Sequence, residues 1–216
     1  MVKQLVILGA GTGGTIMANK LQKKLHKDEW NITIIDRAKT HFYQPGFLYL
    51  PFGMYREEQI RKPSSACLSK EVKFLVAETE KIHPADNTVV LADGTKLSYD
   101  FLIIATGTRI VPSETPGMED VLWRKKIFDF YTFEGATALS SALKDFQGGE
   151  LVINLADMPI KCPVAPLEFA MLADAYFSGK GIRDKIKISY VTPLSGAFTK
   201  PGAAKVLGAL LEKKNI

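Results

Sequence analysis

Apolar residues along this chain alternate between short continuous runs and helical spacing, the pattern expected where strands are covered on both faces by helices. Leu5-Val6-Ile7-Leu8 is the first run, after which Ile16, Met17, Leu21 and Leu25 recur at helical spacing over 15–25. Ile32-Thr33-Ile34-Ile35 is the second run. Between Val72 and Ile104, apolar runs at 72–76, 82 and 88–91, with an Ala92-Asp93-Gly94-Thr95 turn, predict a small antiparallel insertion closed by the strand Phe101-Leu102-Ile103-Ile104. The pattern then restarts. Ala138, Leu139, Ala142, Leu143 and Phe146 space a helix over 134–146, 150–155 reads as a parallel strand, and 167–177 reads as a helix. Residues 187–194 read as a further strand, and Val206, Leu207, Leu210 and Leu211 mark a final helix.

The first strand runs directly into Gly9-Ala10-Gly11-Thr12-Gly13-Gly14, and the second ends in Asp36. In a strand–glycine–helix turn, Gly9 permits the tight turn, Gly11 lets backbone approach a pyrophosphate, and Gly14 allows helix and strand to pack closely. The phosphate meets the unpaired N–H groups and the positive end of the helix dipole. An acid closing the next strand can accept both ribose hydroxyls. The expected fold class is therefore α/β: a Rossmann-like dinucleotide-binding domain with a β-meander insertion over 1–115, a linker and helix over 116–146, and the first part of a second Rossmann-like domain over 147–216.

The second unit lacks its glycines. Where another phosphate cradle would follow the strand, the chain reads Ala156-Asp157-Met158-Pro159-Ile160-Lys161-Cys162-Pro163-Val164-Ala165-Pro166. Three prolines cannot supply the N–H groups and close approach that glycines supply, so this segment is not expected to hold a nicotinamide. Cys162 stands there instead, beside Lys161 and ahead of a helix, the setting in which a nucleophilic thiolate is formed. A lone cysteine is otherwise a small buried hydrophobe. Cys67 matches no motif and reads as structural.

The aspartate–glycine turn, Tyr99-Asp100 and Ala105-Thr106-Gly107 together resemble flavoproteins with two dinucleotide-binding domains, in which the last of these loops passes near FAD. Lys161-Cys162-Pro163-Val164-Ala165-Pro166, with Glu168 and the strand 187–194, resembles the segment around a redox-active cysteine in sulfide:quinone oxidoreductases. Taken over the whole chain, the resemblance is to that family. It implies FAD in the first domain, held by Gly9, Gly11, Thr12, Gly13, Gly14, Asp36 and Arg37, with Tyr43, Ala105, Thr106 and Gly107 near the cofactor. It also implies that Cys162 is one of two redox cysteines, that sulfide is oxidised to sulfane sulfur, and that electrons leave to a membrane quinone. The segment 41–53, rich in aromatic residues and prolines, resembles one that approaches the flavin; alternatively it is a hydrophobic lid over the core.

Two departures stand out. Many bacterial members carry another cysteine near the start of the domain-linking helix, where this chain has Phe128, Phe130, Tyr131 and Phe133. Members are also nearly twice as long, so the partner cysteine, quinone pocket and membrane-binding helices are expected outside these 216 residues. A half-built second domain would expose apolar surface and favour self-association. Two other readings remain open at this stage: a type II NADH dehydrogenase or disulfide reductase, and a noncatalytic flavin-binding electron-transfer subunit.

Composition narrows the rest. With 46% hydrophobic residues and two cysteines, the chain is neither disordered nor a disulfide scaffold. Its 28 Lys+Arg and 23 Asp+Glu are interleaved, so the net charge of +5 forms no basic stripe of the kind that binds nucleic acid. No apolar run approaches the ~20 residues needed to span a bilayer. No signal peptide is read, and the sparse cysteines point to a reducing cytoplasm, with peripheral membrane association implied by the family. His26 falls on a lysine-rich helix face, His41 on a loop and His83 before Pro84; none supports a metal site.

Overall fold

Leu5, Val6, Ile7 and Leu8 are all buried, as a parallel strand flanked on both faces requires. The computed structural model describes all 216 residues and divides them into two compact units: 1–43 with 57–109, and 44–56 with 110–216. The short segment 44–56 thus belongs with the second half of the chain.

In the first unit, β1 (Lys3–Leu8), α1 (Thr12–Gln22) and β2 (Trp30–Asp36) form the opening βαβ motif. β3 (Thr40–Phe42) and β4 (Arg61–Pro63) make a two-stranded antiparallel ribbon. β5 (Lys73–Val76) follows, then β6 (Thr79–His83), β7 (Thr88–Leu91), β8 (Lys96–Ser98) and β9 (Phe101–Ile104). The main sheet has the order β5-β2-β1-β9 and is parallel throughout. One face, with Leu5, Ile7, Ile32 and Ile34, packs against Ala18 of α1; the other, with Val6, Leu8 and Ile35, packs against Val89 and Leu91 of the β6-β7-β8 meander.

Two expectations are corrected here. The run at 72–76 is not part of the antiparallel insertion. As β5 it pairs parallel with β2, Thr33 opposite Lys73, because the outer edge of β2 needs hydrogen-bond partners. The insertion itself is limited to β6–β8. Of the apolar residues spaced along α1 and just beyond it, Leu21 and Leu25 pack against the core, but Ile16 and Met17 are exposed and the helix buries Gly14, Thr15 and Ala18 instead. Close contact between helix and sheet selects small residues over bulky ones at the interface.

The register sets the unit's chemistry. Leu8 is level with Ile35 on one side and Ile104 on the other. The residues that follow, Gly9, Asp36 and Ala105, are therefore brought side by side at the carboxyl edge of the sheet, where ligands of open α/β sheets bind.

The second unit comprises α2 (Gly46–Tyr49), α3 (Phe133–Asp145), β10 (Gly149–Asn154), α4 (Ala165–Gly179), β11 (Ile186–Val191) and α5 (Pro201–Lys213). β10 and β11 pair in parallel, Ile153 opposite Tyr190, with α4 as the crossover. Phe169, Ala170, Ala173 and Phe177 of α4 are buried against Ile153, Ile186 and Ile188 of the strands and Leu139 and Leu143 of α3. The 44–56 segment joins this core: Leu48 is buried in it and Phe52 meets Phe169 with ring centroids 4.9 Å apart. Phe130 stacks on Phe169 at 4.7 Å with planes only 8° apart. Burying each such side chain contributes about 1.5–3 kcal/mol.

The end of α5 is clipped to α4 by a buried acid. Asp174 accepts from Arg183 Nε at 2.7 Å and Lys214 Nζ at 2.5 Å, and the same guanidinium donates to the carbonyls of Ile186, Lys214 and Asn215. Burial opposes the charged carboxylate, but the hydrogen bonds from Lys214 and Arg183 outweigh it and hold its pKa below the ordinary range. No helix is long and apolar enough to cross a membrane.

Candidate functional site

The glycine turn is built around Ala10. Gly9 leaves β1 with φ +95°, a left-handed conformation that glycine adopts without strain, and donates to Ile35 O at 2.7 Å. Ala10 N–H then donates to Asp36 Oδ2 at 2.7 Å, and Ala10 C=O accepts from Thr15 Oγ1 at 3.0 Å and lies 2.9 Å from His41 Nδ1. Asp36 Oδ1 accepts the Ala38 N–H at 2.8 Å. A carboxylate offers about four lone-pair sites, so two amide partners leave capacity for further hydroxyl donors.

The glycines divide by what surrounds them. A Cβ at Gly9 would collide with the Ala105 carbonyl, and one at Gly14 with the Gly9 carbonyl oxygen. Both are demanded by the packing of turn, loop and helix. Gly11 is different: a Cβ there would meet nothing within 4 Å, and its φ of −72° suits any residue. No protein neighbour accounts for the missing side chain, whereas a pyrophosphate lying against the backbone does. Gly11 is the N-cap of α1, it has no side chain to cap the helix, and no acid stands in the first turn. The first-turn N–H groups lie outside the helix's own ladder and face an end of positive potential. The donor set and the open space at Gly11 fit the diphosphate of a dinucleotide.

Gly11, Thr12 and Gly13 are exposed together at the start of α1, and Arg37 is exposed next to Asp36. Ala105 N–H donates to Leu8 O at 2.8 Å, so the 105–107 loop runs alongside Gly9. Tyr43 is half exposed, its N–H bonded to Ile60 O at 2.8 Å on the ribbon that carries His41. His41, read from sequence only as a loop residue opening the 41–53 segment, lies in β3 instead, and its partner is a backbone carbonyl that no side-chain motif announces.

In the second unit, Cys162 is exposed and holds φ +52°, an unfavourable conformation for a residue with a side chain. It precedes α4, whose N-cap is Val164 and whose first turn includes Pro166 and Glu168. The Cys162 carbonyl accepts from Ala165 N–H at 3.0 Å and from the Tyr131 hydroxyl at 3.4 Å. Burial, then the neighbouring Cys162 and Tyr190, push the Tyr131 phenol well above its ordinary pKa, so it stays a neutral donor. Tyr131 is itself set by Asp129, whose Oδ1 accepts the N–H of Tyr131 at 3.0 Å and of Thr132 at 2.7 Å. Thr132 in turn caps α3 by accepting the Gly135 N–H at 3.0 Å. The Lys161 ammonium donates to the Gln44 side-chain oxygen. Cys67 is half-buried, and its carbonyl accepts from Asn19 Nδ2 at 2.8 Å, a structural contact.

A doubly covered parallel sheet, with a glycine turn and an acid at its carboxyl edge, defines a dinucleotide-binding protein. The sequence profile described as Pyridine nucleotide-disulphide oxidoreductase matches residues 3–155, and the chain belongs to that family, whose members are FAD-dependent oxidoreductases. It is 24% identical over 216 residues to the mitochondrial sulfide:quinone oxidoreductase of Dictyostelium discoideum, covering 100% of this chain and 48% of the relative. The crystal structure of the sulfide:quinone oxidoreductase of Aquifex aeolicus superposes with a TM-score of 0.82 at 25% identity, over 100% of this chain and 50% of that one. A type II NADH:quinone oxidoreductase of Staphylococcus haemolyticus is 31% identical over 144 residues, 66% of this chain and 34% of the relative. The chain thus spans about half the length of the sulfide:quinone oxidoreductases it matches.

Proposed function

We propose that the protein carrying this chain oxidises sulfide to sulfane sulfur and delivers the electrons through FAD to a quinone at a membrane surface. The observation that carries this reading is Cys162: an exposed thiol in a left-handed conformation, at the turn where a nicotinamide cradle would need glycines. Similarity to sulfide:quinone oxidoreductases along the whole chain supports it.

In this reading the glycine turn and α1 bind the diphosphate, Asp36 takes the ribose hydroxyls, and the 105–107 loop lines the cofactor. FAD, when bound, supplies a two-electron acceptor. Cys162 is the sulfur-handling group: sulfide sulfur attacks a disulfide between Cys162 and a second cysteine, the S–S bond breaks to leave one sulfur as a persulfide and the other as a thiolate, and formation of a new S–S bond between these two would release a proton and the two electrons that bound FAD would accept. Tyr131 and Ala165 fix the Cys162 carbonyl, which orients the thiol on its turn. Association with the membrane is peripheral in this reading.

Similarity to a type II NADH:quinone oxidoreductase favours a second reading, in which NADH is the electron donor. Pro159, Pro163 and Pro166 weigh against it, since they replace the donors a second cradle would use. An anaerobic absorbance titration of the complete, FAD-loaded protein separates the two. Bleaching by sulfide, lost in Cys162→Ser, supports the first reading; bleaching by NADH with none by sulfide overturns it.

A further inference from the structure

We infer that His41 is a positioning residue for the flavin diphosphate, acting through the peptide that joins Ala10 to Gly11. The inference rests on the reading that the glycine turn holds FAD, and adds a residue to it. His41 lies in β3, and the ribbon it forms with β4 brings Nδ1 to 2.9 Å from the Ala10 carbonyl oxygen. A carbonyl only accepts, so Nδ1 carries the hydrogen and donates. Thr15 Oγ1 takes the second lone-pair direction of the same oxygen at 3.0 Å.

A trans peptide is planar, with its N–H antiparallel to its C=O. Two donors that fix the Ala10 carbonyl therefore fix the Gly11 N–H, which points away from His41 and Thr15. Gly11 is the residue whose missing side chain leaves open space. Hydrogen bonds to the carbonyl also polarise the peptide and strengthen its N–H as a donor to an anion. The preceding peptide is held separately, by the Ala10 N–H to Asp36. His41 thus aims and strengthens one amide of the anion cradle without itself touching the ligand.

The test compares variants of the complete protein by FAD dissociation constant, measured by fluorescence, and by melting temperature of the flavin-free form. In His41→Asn the side-chain amide places an N–H close to the former Nδ1, and affinity is expected to stay within about threefold of wild type; in His41→Leu the donor is gone and affinity is expected to fall about tenfold or more. The flavin-free melting temperature of His41→Leu is expected to lie no more than about 4 °C below that of His41→Asn, the effect of one lost hydrogen bond. Should His41→Leu not fold, His41→Gln replaces it, because its N–H lies one methylene too far out. Equal loss of affinity in His41→Asn and the donor-misplaced variant, or wild-type affinity in His41→Leu, overturns the inference. Gly11→Val separates the two levels: it has room in the protein and is expected to abolish FAD binding. Retention of FAD by Gly11→Val overturns the FAD assignment and the inference with it, whereas loss there with full affinity in His41→Leu overturns the role of His41 alone.

Discussion

The carboxylate of Asp36 accepts the N–H of Ala10 at 2.7 Å, so the acid that closes the second strand also holds the turn that follows the first. Asp36 therefore has a structural role before any ligand arrives. Its second oxygen receives Ala38 N–H, tying down the chain beyond β2 as well.

Replacing Asp36 with Asn turns an NH2 group toward one of these two amides. Loss of a hydrogen bond to a charged acceptor is expected to cost about 1.5–3 kcal/mol, read as a lower denaturant midpoint of the flavin-free protein. An unchanged midpoint would show that Asp36 serves only the ligand.

Gly14→Ala is expected to damage the fold rather than the ligand site. Its methyl group would strike the Gly9 carbonyl oxygen, which is backbone and cannot move aside. Overpacking of this kind costs about 1–3 kcal/mol, so the melting temperature should fall further than in Gly11→Val, which meets no protein atom and loses only the preference for glycine at the N-cap. Equal melting temperatures for the two variants would contradict the division of the glycines made above.

Acid sensitivity should be traceable to Asp174. Its carboxyl is held below the ordinary range in the folded chain, so its stabilising contribution is fully present above the unfolded-state pKa, about 3.9, and is lost as pH falls through the depressed folded value. Asp174→Asn leaves Arg183 and Lys214 without a counter-charge and, with Lys214 partly open to solvent, is expected to cost about 1–3 kcal/mol near neutral pH. The measurement is denaturation at several pH values, and the difference between wild type and variant should shrink toward acid.

At Cys162 stability and function should part. Glycine accepts φ +52° without a side chain to strain, so Cys162→Gly is expected to be more stable by about 1 kcal/mol, and Cys162→Ser unchanged within about 0.5 kcal/mol. Both should lose sulfide-dependent quinone reduction and retain FAD. Wild-type turnover in either variant would remove Cys162 from the mechanism.

Some of this was legible from residues in order along the chain. Apolar runs marked β1, β2 and β9, and the glycines between β1 and α1 carried a signal because a tight turn, a phosphate and a close helix each exclude side chains for local reasons. Three prolines announced, equally locally, that the second turn differs from the first. Other features depended on partners distant in sequence. Whether Val72 to Val76 joins the insertion or the main sheet is decided by the free edge of β2, which lies far away along the chain. Ile16 and Met17 follow a helical period, yet the close approach of α1 to the sheet turns Gly14, Thr15 and Ala18 inward instead. His41 and Tyr131 meet main-chain carbonyls of Ala10 and Cys162, contacts that leave no pattern in side-chain chemistry. Local stereochemistry is written in adjacent residues; which distant carbonyl a side chain reaches is decided only when strand register and packing bring the two together.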